Sequence, residues 1–373
     1  MKAKEFIEIL DSEFYTGVPD SLLRPLCDTI MHTYGNDPAH HIVAANEGNA
    51  AAIAAGYYLS TGKIPVVYMQ NSGEGNIVNP AASLLNEKVY GIPEIFIVGW
   101  RGEPGVHDEP QHIFQGEITK DLLDLLDIGS YVIDPDTEAS ELKEVMKGFR
   151  SELSKGKSAA FIIKKNALVS DDRMVCQNEH QIVREEAIKE IVEVTGDDLI
   201  VSTTGKASRE LFEIRGKGAS GHENDFLTVG SMGHCSSIAL GIAVSRPDQR
   251  VWCIDGDGAV IMHMGAMAVI GKAGSCNLNH IVLNNEAHET VGGMPTAADA
   301  IKLCSIADDC GYSKVICVDN ISDLREALKS MKTDRRLSFL EIKCALGSRA
   351  DLGRPTTTAQ ENKRMFMNRL GSL

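Results

Sequence analysis

The chain has 373 residues and a formal net charge of −15 at pH 7, and 43% of its residues are hydrophobic. This length allows two or three domains with sizeable cores, and the negative charge argues against a nucleic-acid partner, because phosphate binding needs a basic surface. The acidic, amphipathic N-terminus is unlike a signal peptide, no apolar run is long enough to span a bilayer, and nine scattered cysteines form no CxxC pair. We therefore expect a cytoplasmic protein with reduced cysteines and no membrane association.

The first half of the sequence alternates short apolar runs with helical patterns, which predicts a parallel sheet covered by helices on both faces. The predicted strands are residues 15–18, 41–45, 64–69, 95–99 and 159–164. Polar residues follow several of them, with Asp20 after the first, Glu47 after the second and Arg101 after the fourth. A polar loop predicted over 105–116 carries His107 and His112. Ligands on such sheets bind at the carboxyl ends of the strands, so these residues are candidates for a site.

Residues 165–180 interrupt this alternation with polar and charged residues, so we place a linker at 167–182. It separates a first domain, residues 1–166, from a second domain, residues 183–373. The predicted strands of the second domain are residues 199–203, 251–254, 280–283, 314–319 and 338–344. The predicted fold class is α/β, with two doubly wound parallel-sheet domains.

Two short apolar runs in the second domain end in residues that could hold a metal and a phosphate. One run ends at an Asp-Gly-Asp-Gly turn that contains Asp257, and the next ends at Asn285. A carboxylate oxygen and an amide oxygen suit Mg²⁺, and Gly256 and Gly258 permit a close phosphate contact. The following helix offers free N–H groups to the same anion. The stretch predicts a diphosphate held through a metal, although either pair alone is equally explained as a turn at a strand end.

The GDG turn around Asp257 is followed after 25 residues by the pair Asn284-Asn285, and this spacing resembles the diphosphate-binding motif of thiamine diphosphate enzymes. The resemblance implies that the cofactors are thiamine diphosphate and Mg²⁺. It also implies that the metal is held by Asp257, by Asn285 and by the main-chain carbonyl of Ala287.

The segment that begins with Glu47 resembles another part of the same family. Glu47 follows an apolar strand and opens an Ala-rich helix, where a glutamate could simply be favoured by the helix dipole. The segment is, however, similar to the part of thiamine diphosphate decarboxylases that begins with their catalytic glutamate. This resemblance implies that Glu47 polarises the aminopyrimidine ring of the cofactor from a dry pocket.

Two further turns resemble this family. The turn that contains Ser231 and Met232 lies where the family places a large apolar residue beneath the cofactor, although a core methionine at a turn is the alternative. The turn that ends at Asp20 resembles the Gly-x-Pro turn of the decarboxylases, whose aspartate lies over the thiazolium ring. We also include Gly205, at a strand-to-helix turn, among the cofactor-binding residues.

The resemblance covers nearly the whole chain and implies a pyrimidine-binding domain followed by a diphosphate-binding domain, without the middle domain of larger relatives. One position departs from the pattern. Pyruvate decarboxylases carry a glutamate six residues after the metal-binding asparagine, and this chain has Val291 there. The late proton transfer must therefore use another group or water, and His112 and His288 are candidates by position.

Three segments, residues 100–112, 283–296 and 347–358, resemble the phosphonopyruvate decarboxylases, with sulfopyruvate decarboxylases as near relatives. The resemblance implies decarboxylation of a small 2-oxo acid, 3-phosphonopyruvate, to phosphonoacetaldehyde in phosphonate biosynthesis. Because the sulfopyruvate enzymes are often split into two chains, a single chain favours phosphonopyruvate. A phosphonate needs cationic partners, and each candidate could equally be a solvated surface charge. The candidates are Arg101, Lys206, Arg349 and Arg354.

The same resemblance implies a homodimer, or a tetramer built from dimers, with active sites at the subunit interface. Three alternatives stay open at this point. The chain could be a sulfopyruvate decarboxylase or an acetolactate synthase-like enzyme with the same cofactor, or a non-catalytic ligand-binding protein on this fold. A nicotinamide-dependent dehydrogenase is disfavoured, because no complete GxGxxG follows any predicted strand.

Overall fold

A computed structural model describes residues 1–218 and 221–372. The chain forms two compact units. Unit 1 consists of Met1–Val175 with Val291–Met294, and unit 2 consists of Cys176–Thr290 with Pro295–Leu373. Two expectations stay predictions. One is the cofactor-binding role of each unit, and the other is the set of domain boundaries at 1–166, 167–182 and 183–373.

Unit 1 is built on a six-stranded sheet in which every neighbouring pair is parallel. Its strand order is β2-β1-β3-β4-β6-β5. The strands are β1 (Tyr15–Gly17), β2 (His41–Val43), β3 (Val66–Gln70), β4 (Ile95–Gly99), β5 (Gly129–Ile133) and β6 (Ala159–Ile163). All residues of β4 and β6 are buried, as expected for strands covered on both faces.

The first helix of unit 1 precedes β1, and the other helices lie between successive strands. The helices are α1 (Ala3–Leu10), α2 (Arg24–Tyr34), α3 (Glu47–Thr61), α4 (Glu74–Pro80), α5 (Pro110–Leu125) and α6 (Ala139–Leu153). The predicted Ala-rich helix corresponds to α3. The Asn46 side chain caps its first turn by accepting the N–H of Asn49, and Gly62 caps its C-terminal end. These caps place Glu47 at the first residue of α3, after the short turn that follows β2.

Two helix starts in unit 1 differ from the prediction. The loop predicted over 105–116 ends early, because α5 begins at Pro110, where a proline without an N–H fits the first helical turn. The helix predicted from residue 21 begins at Arg24 instead, and Asp20 accepts the N–H of Leu22 in the turn before it. Both differences lie beside candidate site residues.

Unit 2 has a second six-stranded sheet, again with parallel neighbours throughout, in the order β13-β14-β10-β9-β7-β8. Its strands are β7 (Leu199–Ser202), β8 (Asp225–Leu227), β9 (Val251–Gly256), β10 (Leu278–Asn284), β13 (Lys314–Val318) and β14 (Ser338–Lys343). Two short strands lie outside both six-stranded sheets, β11 (Ala287–His288) in unit 2 and β12 (Met294–Pro295), whose two residues belong to different units. The helices are α7 (Arg184–Thr195), α8 (Lys206–Gly216), α9 (Cys235–Ser245), α10 (Asp257–Met262), α11 (Gly265–Ala273), α12 (Leu303–Asp309), α13 (Ile321–Thr333) and α14 (Ala359–Arg369).

The C-terminal tail ends in a helix that the sequence analysis did not predict. Helix α14 starts with a capping box formed by Thr358 and Glu361. Its Asn362 side chain accepts the N–H of Leu227 at 3.0 Å and donates to the carbonyl of Asp225 at 2.8 Å, and Phe366 is buried. The tail is therefore docked on β8 rather than extended.

Across the residues that the structure describes, no helix is both long and apolar enough to cross a membrane.

Candidate functional site

The predicted metal ligands of unit 2 come together at the carboxyl edge of its sheet. Asp257 follows β9 and Asn285 follows β10, and these two strands are parallel neighbours. The backbone N–H groups of Gly258 and Asn285 lower the pKa of the Asp257 carboxylate. This carboxylate accepts the hydroxyl of Thr296, at 2.6 Å. Thr296 was not singled out from the sequence, since nothing in its local pattern indicates this contact.

Asp257 is almost completely buried, and this burial raises the pKa of its carboxyl group to about 6, although the hydrogen bond from Thr296 lowers it. A carboxylate desolvated in this way gains stability from a nearby cation. The site therefore favours binding of a positive charge close to Asp257.

The turn after β10 is held by side-chain to backbone hydrogen bonds. Asn284 Oδ1 accepts the N–H of Glu286 at 3.0 Å, and Asn285 Oδ1 accepts the N–H of Ala287 at 3.2 Å. Glu286 adopts a φ of 63°, the left-handed conformation. The turn carries the amide oxygen of Asn285 and the main-chain carbonyl of Ala287, and Asp257 follows β9, the strand next to β10. These are the oxygen donors that Mg²⁺ prefers, so the residues fit the implied metal.

Gly258 is needed for close packing at the start of α10. A Cβ at this position would lie 3.1 Å from the His288 ring and 3.3 Å from the Thr296 side chain. The absence of a side chain lets the His288 ring and the Thr296 side chain pack against the backbone at Gly258. Burial also lowers the pKa of His288 to about 4, so its imidazole is neutral at pH 7.

Glu289 links Asn285 to a network of charged side chains that the sequence analysis missed. Its Oε2 accepts the Asn285 side-chain amide at 3.0 Å and pairs with Arg184 at 2.5 Å, while its Oε1 accepts Lys206 at 2.7 Å. Arg184 is only 8% exposed and is also paired with Glu210. The members of this network are far apart in sequence, so no local motif marks them. Lys206, a predicted substrate ligand, is therefore already paired in this structure.

The remaining cofactor candidates of unit 2 lie on turns at the same sheet edge. Gly205 follows β7 and directly precedes α8. Ser231 and Met232 lie on the turn between β8 and α9, where Ser231 has a φ of 52° and Met232 is half-buried. The structure thus places all of the unit 2 cofactor candidates at the carboxyl ends of four strands.

In unit 1, Glu47 is buried, with 5% of its surface exposed. Its Oε2 accepts the side-chain amide of Asn76 at 2.6 Å, and its carboxyl group packs so closely on Gly73 that a Cβ there would collide with it. Burial raises the pKa of Glu47, and the Asn76 hydrogen bond opposes this shift. A carboxyl group whose pKa is raised in this way keeps its proton to a higher pH than an exposed glutamate does.

Asp20 and Arg101 lie at the same sheet edge in unit 1. Asp20 is buried and accepts the Gln70 side chain at 2.6 Å, and burial raises the pKa of its carboxyl group more than this bond lowers it. Arg101 forms a two-pronged ion pair with Asp108 and donates to Ser21 at 3.1 Å. Burial alone would raise the pKa of Asp108, but the Arg101 hydrogen bonds hold it well below its usual range.

The histidines near Arg101 differ in environment. His112 lies in the first turn of α5, and its Nδ1 is buried without a hydrogen-bond partner in the described part of the chain. Burial, followed by the charge of Arg101, lowers the pKa of His112. His107 is exposed on the loop. Of the two, His112 has the environment expected of a functional histidine.

The two C-terminal arginines lie in unit 2. Arg349 forms ion pairs with Glu185, Glu213 and Asp351, so an anionic substrate would have to displace a carboxylate. Arg354 is exposed. Both arginines lie beyond β14, the last strand of the unit 2 sheet along the chain, whereas Lys206 is the first residue of α8.

Comparison with known proteins identifies similar sequences in both units. Residues 3–125 match the family model described as "Thiamine pyrophosphate enzyme, N-terminal TPP binding domain". Residues 212–342 match the model described as "Thiamine pyrophosphate enzyme, C-terminal TPP binding domain".

Three curated relatives align along most of the chain. The chain is 35% identical to phosphonopyruvate decarboxylase of Streptomyces viridochromogenes, with 94% of this chain and 89% of the relative covered. It is 32% identical to phosphonopyruvate decarboxylase of Streptomyces hygroscopicus, with 94% and 88% covered. It is 28% identical to sulfopyruvate decarboxylase of Methanosarcina acetivorans, with 91% and 90% covered.

Proposed function

Because the chain belongs to the phosphonopyruvate decarboxylase family of thiamine pyrophosphate enzymes, we propose that it converts 3-phosphonopyruvate to phosphonoacetaldehyde and carbon dioxide. The observation that carries the proposal is the similarity to two relatives of that name over nearly their whole length. We propose thiamine diphosphate and Mg²⁺ as the cofactors and phosphonate biosynthesis as the setting.

The diphosphate end of the cofactor and the metal ion bound to it are assigned to unit 2. Asp257, Asn285 and the carbonyl of Ala287 would hold Mg²⁺, and the proposal is supported by the contact between the first two and by the hard oxygen donors. The glycines of the GDG turn, with Gly205 and Ser231, would line the diphosphate. The position of these turns at the carboxyl ends of parallel strands supports this assignment.

The other end of the cofactor is assigned to Glu47, with Met232 as the apolar support. Glu47 is desolvated and has a raised pKa, so it can hold a proton against a ring nitrogen and strengthen that hydrogen bond. When bound, thiamine diphosphate supplies the electron sink for the carbanion that loss of carbon dioxide creates. Asp20 and His112 are proposed to move protons in unit 1. His288, kept neutral by burial, is proposed as a proton acceptor in unit 2.

Arg101 and Lys206 are the cations proposed to hold the phosphonate and carboxylate groups of the substrate. Both lie just after a strand, at the edge of a sheet where ligands bind. Each is paired with a carboxylate, Asp108 or Glu289, which keeps the cation oriented until an anion arrives. Arg349 and Arg354 stay secondary candidates for this role.

Sulfopyruvate is the second candidate substrate. A sulfopyruvate decarboxylase that is itself one chain aligns with 91% of this chain. The argument from a single chain therefore does not separate the two substrates, and the preference for phosphonopyruvate rests on the higher identities of its decarboxylases. An acetolactate-type ligation and a non-catalytic role on this fold are the other outcomes to test.

The test is an aldehyde assay with the purified full-length chain, thiamine diphosphate and Mg²⁺, using phosphonopyruvate, sulfopyruvate and pyruvate in parallel. We expect phosphonopyruvate to have the highest kcat/KM. Glu47→Gln should lower kcat about 10²- to 10⁴-fold, and the exposed Glu117→Gln should have no effect. Preferred turnover of sulfopyruvate would reassign the substrate. Wild-type protein that turns over none of the three acids would refute a decarboxylase.

A further inference from the structure

Two cysteines and a glutamate form a cluster in unit 2 that the proposed function does not use. Cys304 lies on α12, Cys317 on β13 and Glu341 on β14. Their two sulfur atoms and a carboxylate oxygen all lie within 4.8 Å of one another. Cys317 and Glu341 are paired across the parallel strands, which places their side chains on the same face of the sheet. The proximity of the two thiols therefore follows from the fold.

The two thiols differ in accessibility. Cys317 is exposed on β13, the edge strand of the sheet, whereas Cys304 is half-buried and its thiol donates to the carbonyl of Ile316 at 3.4 Å. The nearby Cys304 thiol lowers the pKa of the Cys317 thiol, and the same proximity raises the pKa of Cys304. An accessible thiol beside a less exposed one is the arrangement of a reactive cysteine and its resolving partner.

We propose that Cys304 and Cys317 are a reversible oxidation site, which forms an intramolecular disulfide with an oxidant of the hydroperoxide class. The Cys317 thiolate attacks the peroxide and becomes a sulfenic acid, with release of one water. The Cys304 sulfur then attacks the Cys317 sulfur, the S–O bond breaks, and a second water leaves. The two thiols lose two electrons and two protons, and hydrogen peroxide is reduced to two waters.

A metal ion fits the cluster less well. The ammonium group of Lys343 lies 2.9 Å from Glu341 Oε1 and 3.4 Å from Glu286. This positive charge neutralises the carboxylate that a zinc ion would need as its third protein ligand. The two sulfur atoms are therefore better suited to bond to each other.

The cluster is one contact away from the turn after β10. Glu341 Oε1 accepts the Asn284 side-chain amide at 2.7 Å, and Asn284 in turn holds the N–H of Glu286. The Cys304 and Cys317 sulfur atoms both lie within 4.8 Å of a Glu341 carboxylate oxygen. Formation of the disulfide moves these sulfur atoms together beside Glu341, so we expect it to disturb the contact between Glu341 and Asn284.

The first test needs no activity and is independent of the proposed function. Reduced full-length protein is treated with hydrogen peroxide, alkylated, and digested with trypsin. We expect a cross-link between the peptides that contain Cys304 and Cys317, a mass loss of about 2 Da, and reversal by dithiothreitol. Cys310 lies on the same tryptic peptide as Cys304. Cys310→Ser should therefore keep the cross-link and Cys304→Ser should lose it, while the exposed Cys276→Ser serves as a second control.

The proposal is overturned if wild-type protein forms no cross-link while Cys317 is oxidised beyond the sulfenic acid. It is also overturned if one equivalent of zinc copurifies with the chain and is released when Cys317 is alkylated. Hydrogen exchange of residues 284–288 tests the coupling, because these amides should exchange faster in the oxidised protein. Unchanged exchange there, with the cross-link complete, would refute the link to Asn284.

Discussion

Asn285 owes its orientation to Glu289, which is itself held by Arg184 and Lys206. The Glu289 carboxylate accepts the Asn285 Nδ2 group, and this contact directs the amide oxygen to the opposite side. We predict that Glu289→Gln weakens Mg²⁺-dependent cofactor binding about 10- to 100-fold, the usual effect of losing a residue that orients a metal ligand. Titration of thiamine diphosphate at several Mg²⁺ concentrations measures this change.

The exposed Glu186→Gln on α7 is the matched control for this substitution, and it should leave binding unchanged. A positioning role also predicts that saturating Mg²⁺ restores most of kcat in Glu289→Gln. A variant that binds the cofactor normally but has lost kcat would instead indicate that Glu289 acts on the substrate.

Glu74 is a second residue whose charge state has a measurable effect. It is fully buried at the start of α4, and neither carboxylate oxygen has a hydrogen-bond partner among the described residues. Burial raises the pKa of Glu74 from 4.5 to about 9, so the folded chain binds a proton that the unfolded chain releases above pH 4.5. The part of the folding stability that depends on this bound proton is fully present below pH 4.5, and it is lost as the pH rises through 9. Between these limits the free energy of unfolding falls by about 1.4 kcal/mol per pH unit.

Glu74→Gln removes this titration, so its Tm should exceed that of the wild type at pH 8, and the difference should shrink towards pH 5. Thermal unfolding at a series of pH values measures both curves. The exposed Glu117→Gln should follow the wild type at every pH. A Tm for Glu74→Gln below that of the wild type at pH 8 would show that the Glu74 carboxylate is ionised and paired.

Among the helices, α11 approaches the end of α12 so closely that a Cβ on Gly271 would collide with the carbonyl of Cys310. In contrast, a Cβ on Gly241 of α9 has no neighbour within 4 Å. We predict that Gly271→Ala lowers the free energy of unfolding by about 1–3 kcal/mol, through overpacking. Gly241→Ala should raise it by about 0.5–1 kcal/mol, since alanine favours the helix. Chemical denaturation measures the free energy of unfolding of both variants. Equal changes in this free energy would contradict the close packing of Gly271 on Cys310.

The strands and the sheet edges that carry the site were predictable because buried parallel strands are short apolar runs and their polar ends are turn residues. Helix boundaries were less predictable from the sequence. The start of α5 at Pro110 was hidden in a polar loop, although proline is common at that position. The capping box of Thr358 and Glu361 was visible in the sequence, but the polar residues of α14 gave no apolar face. The contacts of Glu289 and Thr296 depend on folding, and a linear pattern cannot contain them.

At the scale of the whole molecule, we propose a homodimer or a tetramer of dimers in which each active site uses residues of two chains. Glu47→Gln and Asp257→Asn should each be inactive alone. If the two residues of one site belong to different chains, mixing the variants with subunit exchange creates one intact site per mixed dimer. About one quarter of the wild-type activity should then return. Sites built within single chains would stay inactive in every mixture.

Both six-stranded sheets contain only parallel neighbours, and this has a consequence for how the chain folds. No strand of either sheet can pair with the next through a tight hairpin, so every pairing first requires closure of a long crossover, with its entropic cost. High contact order slows folding and prolongs the exposure of unpaired edges. Refolding from denaturant should therefore be slow and sensitive to protein concentration, and it should improve when a chaperone shields the nascent strands.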